Sequence, residues 1–120
     1  MPTFKRFEDI NAWQRVRLVT GLVYSVTKNR SFAQDFALRD QIRRASVSIM
    51  ANIAEGFARR SDKNFAHFLN ISRSSAAEVQ SHLYVALDQE YIDRAEFEEI
   101  YDKIEETSRM IFALVRHLVL

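Results

Sequence analysis

The feature that most constrains the fold of this chain is its lack of turn-forming residues. Among 120 residues there are one proline, Pro2, and two glycines, Gly21 and Gly56. Strands need closely spaced turns, which draw on glycine and proline, whereas helices run for many residues between connections. The sequence therefore predicts an all-α fold of long helices joined by short loops, in a single domain over residues 1–120.

Four segments carry apolar residues at the three- and four-residue spacing of a helix. They predict helices over residues 9–28, 38–59, 62–90 and 93–119, and residues 29–37 lose the periodicity and are predicted to be a loop. Amphipathic helices with short connections pack as an antiparallel up-and-down four-helix bundle. Since a helix of about 24 residues is about 36 Å long, the bundle should be a long rod.

Composition places the chain among soluble globular proteins, with 48% hydrophobic and 28% charged residues. Without cysteine it has neither disulfides nor thiolate metal ligands. No run approaches the roughly 18 apolar residues of a membrane span, and the segment MPTFKRFEDI lacks the apolar region of a signal peptide. A cytoplasmic location and no membrane partner are therefore expected.

The last helix is more apolar than a single bundle requires. In MIFALVRHLVL, residues 110–120, only Arg116 and His117 are not apolar, whereas a bundle helix needs an apolar arc of about 100°. The first helix also places leucines off its main stripe. Since large exposed apolar surfaces mark interfaces, a homo-oligomer is predicted. The expected interface residues are Leu18, Leu22, Phe112, Leu114 and Leu118.

Charge is unevenly distributed along the chain. Residues 1–80 carry a net charge of +6 and residues 81–120 carry −5. Clustered basic side chains can neutralise phosphates, although they can equally pair with the acidic fourth helix. No ordered aromatic platform for stacking bases is readable from the sequence. The predicted nucleic-acid contacts are Arg39, Arg43, Arg44, Arg59, Arg60 and Lys63.

The second predicted helix places Asn52, Glu55 and Gly56 on or beside its apolar face. Buried amides and carboxylates require hydrogen bonds, so a structural network near the helix end is the favoured interpretation, and a ligand-binding or catalytic carboxylate is the alternative. Gly56 either admits a close helix contact or ends the helix in the left-handed conformation.

Signals for other chemistry are sparse. Glu78 and His82 are one residue too far apart for the Glu-x-x-His pair of a di-iron bundle, so no metal or cofactor is predicted. The spacing of Arg60 and His67 superficially resembles the Arg-x4–6-His motif of HEPN ribonucleases, which would perform acid–base cleavage of RNA. The favoured interpretation is a solvated arginine and a surface histidine.

Three stretches together carry a family resemblance. They are FEDINAWQRV from Phe7, LRDQIRRASVSIMANIAEGFARRS from Leu38, and FAHFLNISRSSAAEVQSHL from Phe65. They resemble the four-helix bundle proteins encoded by intervening sequences of bacterial 23S ribosomal RNA genes. The family's marker motif corresponds here to Gln41–Ala45, Ser48–Ile49 and Asn52–Gly56. The motif residues expected to be structural are Gln41, Arg44, Asn52, Glu55 and Gly56.

The resemblance implies a ring-like homopentamer. It also extends to the accessory variability determinant of diversity-generating retroelements, a basic pentamer that binds a reverse transcriptase and its template RNA. This chain is less basic, with a sequence pI near 8.1. The resulting hypothesis is a non-enzymatic oligomeric scaffold that binds RNA or a reverse transcriptase-like protein. The alternatives are a purely structural oligomer and a HEPN-like ribonuclease.

Overall fold

A computed structural model of the chain describes residues 4–119. No strand occurs within those residues, so the prediction of an all-α fold is confirmed. Four of the helices are long, and they correspond to the four predicted from apolar periodicity. In chain order the elements are a 3₁₀ turn at Phe7–Asp9, α1 (Asn11–Thr27), α2 (Arg30–Gln34), α3 (Phe36–Ala58), α4 (Asp62–Asp88) and α5 (Arg94–Val119).

The four long helices pack as a bundle around one apolar core. Helix α1 contacts α3 and α5, and α4 contacts the same two helices, so α3 and α5 lie at opposite corners. The molecule measures 45 × 20 × 19 Å, the proportions of a rod. Its largest fully buried side chains include Val16, Val23, Phe32, Ile42, Ile49, Ile53, Leu69, Leu83, Ile100, Ile104 and Ile111.

Side-chain caps fix where the long helices begin. Ser61 is the N-cap of α4, and its hydroxyl accepts a hydrogen bond from the Asn64 N–H at 3.4 Å. At the start of α5, the Glu96 carboxylate accepts from the Asp93 N–H and the Asp93 carboxylate accepts from the Glu96 N–H, at 3.0 and 2.8 Å. These reciprocal bonds are the capping box that the spacing predicts.

The predicted loop over residues 29–37 is wrong, because it contains α2 and the first turn of α3. Phe32 is fully buried and stacks on Tyr91, with ring centroids 5.1 Å apart. Asp35 caps α3 by accepting from the Leu38 N–H, and its other carboxylate oxygen accepts from the Tyr91 hydroxyl at 2.9 Å. That hydrogen bond is also the main reason why the pKa of Tyr91 is raised. A helix of five residues is too short to show an apolar periodicity in the sequence. Contacts with residues distant in the chain hold α2 in place.

Candidate nucleic-acid interface

The six predicted nucleic-acid contacts form two groups at opposite ends of α3. Arg39, Arg43 and Arg44 lie in its first turns and are called here the α3 start cluster. Arg59, Arg60 and Lys63 lie where α3 passes into α4 and are called the α3 end cluster. At 1.5 Å per residue, about 22 Å of helix, from Arg44 to Arg59, separates the two clusters. They are therefore two surfaces rather than one.

In the α3 start cluster, two of the three guanidinium groups are held in place. Arg39 donates to the Ala33 carbonyl at 3.1 Å and pairs with Asp40 at 2.9 Å. Arg43 donates from Nε to the Thr27 hydroxyl at 2.8 Å. The arginines, Arg39 first, lower the pKa of Asp40, so this carboxyl is ionised at neutral pH. Arg44 is exposed and has no side-chain hydrogen bond within residues 4–119.

In the α3 end cluster, the backbone turns sharply. Arg60 has a φ of 59°, the left-handed conformation that often ends a helix. Arg59 pairs with Glu55 one turn back at 3.0 Å, and its guanidinium lies 4.9 Å from the Phe68 ring centroid. Arg60 and Lys63 are exposed, and neither side chain has an ion pair in the described part of the chain.

The acidic helix does not neutralise either cluster. Of the ion pairs formed within residues 4–119, only Arg15–Glu106 joins two helices, at 2.6 Å. The six predicted residues pair with local carboxylates or with none, because α3 lies diagonally opposite α5. Exposed pairs of this kind contribute about 0–1 kcal/mol. The basic side chains of α3 therefore remain at the surface of the bundle.

Asn52 forms a polar link between helices. Its amide donates to the Ser48 carbonyl and hydroxyl at 2.9 and 3.0 Å, and the Ser48 hydroxyl contacts the Ser75 hydroxyl of α4 at 2.9 Å. Ser72 donates to the Ile49 carbonyl at 2.9 Å in the same seam. The half-buried Asn52 therefore occupies a structural position, beside the core rather than in it.

Glu55 lies at the surface of α3, whereas Gly56 lies at its contact with α4. Glu55 is exposed and pairs with Arg59 of its own helix, and its carboxylate makes no hydrogen bond to another helix within residues 4–119. Gly56 is buried, and a Cβ there would lie 2.7 Å from the Cβ of Phe68. It permits close approach of α3 and α4. The left-handed alternative is wrong for Gly56, since Arg60 takes that conformation.

Gln41 and Arg44 line a polar groove between α3 and α4. The groove has a volume of about 220 Å³, and Ser48, Ser75 and Glu78 complete its lining. Both motif side chains are exposed. They therefore contribute to the surface of the bundle rather than to its core.

The histidines do not assemble a metal or catalytic centre within residues 4–119. No group of three His, Asp or Glu side chains there is arranged to hold a metal ion. Arg60 and His67 are both exposed, and neither side chain forms a hydrogen bond within those residues. His67 instead contacts Phe68 edge to face, with centroids 5.5 Å apart.

The predicted interface residues divide into exposed and buried ones. Leu18 is 69% exposed, and with the half-buried Leu22 it lines a groove of about 280 Å³ between α1 and α5. Phe112 is 43% exposed, and Leu114 lines a second groove beside the N-terminal segment. Leu118 is 9% exposed and belongs to the core of its own chain. Its assignment to an interface is wrong, because the last turn of α5 still packs inward.

Comparison with known proteins identifies the family. Residues 8–113 match the model of the 23S rRNA-intervening sequence protein. The chain belongs to this family. The resemblance to proteins encoded by 23S ribosomal RNA intervening sequences, inferred from the sequence, is thus confirmed.

A solved structure shares the fold of this 23S rRNA-intervening sequence protein. It is the crystal structure of a protein with unknown function from the S23 ribosomal protein family of Bacteroides thetaiotaomicron. The two match with a TM-score of 0.81 and 25% sequence identity, over 88% of this chain and 95% of that chain. No curated protein matches the sequence. None of the helices in residues 4–119 is long and apolar enough to cross a membrane.

Arginine–aromatic pairs are the surface feature that sequence reasoning missed in this family member. Arg43 lies 4.7 Å from the Tyr24 ring centroid, and Arg39 lies 4.9 Å from that of Phe36. The i, i+3 spacing of Phe36 and Arg39 was a readable signal. The pair of Tyr24 and Arg43 joins α1 to α3 and has no local signature.

Proposed function

We propose that this protein is a non-enzymatic, cytoplasmic, homo-oligomeric scaffold that binds RNA. The observation that carries the proposal is the position of α3 diagonally opposite the acidic α5. That arrangement leaves the two basic clusters at the surface, where phosphates can reach them. Arg44, Arg60 and Lys63 form no ion pair within residues 4–119.

The proposed assembly is a ring of antiparallel up-and-down bundles, with five copies as the family resemblance implies. Contacts between Ser48 and Ser75, and between Gly56 and Phe68, support opposite directions for α3 and α4. The exposed Leu18 and Phe112 support a further buried face. Cyclic symmetry would repeat each basic cluster around the ring and raise the avidity for a long RNA.

The test is a titration of labelled structured RNA at two salt concentrations, with the oligomer mass measured in the same buffers. The informative variant replaces Arg39, Arg43 and Arg44 by Gln. It should bind more weakly, and its log Kd should depend less on log salt, by about one unit of slope for each lost phosphate contact. A matched control replaces three cations of the acidic helix, Arg94, Lys103 and Arg109, by Gln and should bind nearly as wild type.

Two results would contradict the proposal. One is an absence of RNA binding by the wild-type oligomer at low salt. The other is an equal loss of affinity in the two triple variants, which would indicate an effect of net charge rather than of a surface on α3.

A substitution of Asp40 should change the affinity for RNA in the opposite direction. Its carboxylate pairs with Arg39, and the neighbouring arginines, Arg39 first, lower its pKa. Asp40→Asn removes that competing anion and should strengthen RNA binding, with a salt dependence steeper by about one unit of slope. Weaker binding by Asp40→Asn would place the phosphates away from the α3 start cluster.

A purely structural oligomer is the second candidate. The observation that favours it is that the basic α3 and the acidic α5 lie at opposite corners of the bundle. Opposite faces of complementary charge suit head-to-tail contacts between copies. In that case salt would dissociate the oligomer itself.

A reverse transcriptase-like protein is the proposed protein partner if RNA alone is not bound.

A ribonuclease using Arg60 and His67 is the least supported function. The two residues lie at the exposed junction of α3 and α4. Persistence of RNA cleavage in the Arg60→Ala/His67→Ala double variant would show that any such activity comes from elsewhere.

A further inference from the structure

Two exposed aromatic rings lie beside the α3 start cluster. Phe36, the first residue of α3, is 64% exposed, and Tyr24 of α1 is 36% exposed. Single exposed apolar residues need no special explanation. Here, however, each ring is paired with a guanidinium group, and the two arginines are one helical turn apart.

The guanidinium groups are positioned by bonds to other elements. Arg39 donates to the Ala33 carbonyl of α2, and Arg43 donates to Thr27 of α1. Arg43 uses one of its five N–H donors in this way, and the other four make no hydrogen bond within residues 4–119. The α3 start cluster therefore presents positioned positive charge and free donors next to two exposed aromatic side chains.

The geometry points to a binding site for unpaired nucleotides of single-stranded RNA. Bases would stack on Phe36 and Tyr24, and their phosphates would contact Arg39 and Arg43. Lys28, just after α1, and Arg30, the first residue of α2, are exposed. They extend the positive surface along the expected path of the RNA. This inference rests on the proposed RNA-binding function and names the form of RNA recognised.

The combination of groups favours a single strand over a duplex. Every base has a π-face, and stacking on an aromatic side chain contributes about 1–3 kcal/mol per base. In A-form duplexes the base faces are already stacked on one another, and the deep major groove excludes side chains. A duplex would engage the arginines alone and leave both rings without a role.

A second aromatic cluster of the molecule provides an internal contrast. Tyr84, Phe97 and Tyr101 pack with centroids 4.9 to 5.8 Å apart on the α4–α5 face. Tyr84 is the main cause of the raised pKa of Tyr101, and Glu105 and Asp102 contribute. Asp102 and Glu105 lie beside these rings together with one cation, Arg94, whose guanidinium is 5.7 Å from the Phe97 centroid. The carboxylates disfavour phosphate, so aromatic exposure alone does not make a site for RNA here.

The test compares two labelled RNAs, an unstructured 12-nucleotide oligouridine and a blunt-ended duplex of two annealed strands, by fluorescence anisotropy at low salt. The Tyr24→Leu/Phe36→Leu variant keeps an apolar side chain at both positions and removes the aromatic rings. It should bind the single strand at least tenfold more weakly and the duplex within twofold of wild type. Tyr84→Leu is the matched control and should alter neither affinity.

A 2-aminopurine base placed in the oligouridine reports stacking directly. Its fluorescence should be quenched on binding to the wild-type protein and should stay unquenched with the double variant. Phe36→Leu alone keeps the test valid if the double variant does not fold, because Phe36 is largely exposed.

The outcomes separate this inference from the proposed function. If single-strand binding and quenching persist in the leucine variants, or if both RNAs are weakened equally, the stacking site is wrong and RNA binding by the arginines stands. If the wild-type protein binds neither RNA at low salt, the proposed function itself fails, and the stacking site fails with it.

Discussion

The α3–α4 seam and the α1–α5 groove differ in the kind of surface that each leaves open. In the seam, Gly56 lets the two helices approach closely, and Ser72 donates across to the backbone of α3. The groove of about 220 Å³ that remains between these two helices is lined mainly by polar side chains. Between α1 and α5 a groove of about 280 Å³ remains, and the exposed Leu18 is part of its apolar lining.

The difference follows from the size and polarity of the residues at each contact. Small side chains in the seam let two backbones approach, and their hydroxyls satisfy one another at short distance. Leu18 and Leu22 line the groove between the other pair, beside the charged side chains of Arg15, Lys103 and Glu106. The seam should therefore determine the stability of the chain, and the groove should determine its assembly.

The largest expected effect is that of Gly56→Val. Its Cβ alone would lie 2.7 Å from the Phe68 Cβ, and overpacking of this kind destabilises by roughly 3 kcal/mol. Denaturant unfolding followed by circular dichroism measures the loss. Gly21→Ala is the matched control, because no atom lies within 4 Å of its added Cβ. It should stabilise by about 0.5–1 kcal/mol through helix propensity. Equal free energies of unfolding for the two variants would mean that the contact between α3 and α4 has room for an added side chain.

Leu18→Asp should act on assembly and leave the chain folded. Leu18 is exposed in the single chain, whereas its burial in an oligomer would contribute about 2 kcal/mol, or about thirtyfold in subunit dissociation. Native mass spectrometry across a dilution series measures the shift, and circular dichroism checks the fold. An unchanged oligomer mass at all concentrations would remove Leu18 from the interface.

Asn52→Leu should have the smallest effect of the three. It removes the amide hydrogen bonds to Ser48, and each such bond contributes about 1 kcal/mol net. The melting temperature and the oligomer mass are the measurements. Asn70→Leu is a control, because the Asn70 side chain is exposed and makes no hydrogen bond within residues 4–119. If Asn52→Leu matches Asn70→Leu in both melting temperature and oligomer mass, the link through Ser48 and Ser75 contributes nothing measurable to stability or assembly.

The sequence by itself determined the fold class, the four long helices and most of the core. Apolar periodicity is a local property that survives averaging over a long helix, and residues at that spacing, such as Val16, Ile49 and Leu83, lie in the core. The Ser61 cap of α4 and the Asp93–Glu96 capping box of α5 are equally local, since each joins residues three positions apart. The family motif likewise depends on linear order alone.

Only the tertiary structure decided which residues share a surface. It placed Leu118 in the core and brought Tyr24 of α1 beside Arg43 of α3. It also showed that α2 is ordered by Phe32 stacking on Tyr91, a contact across 59 residues. Each of these facts depends on how helices lie against one another, and neighbouring side chains in sequence carry no record of that arrangement.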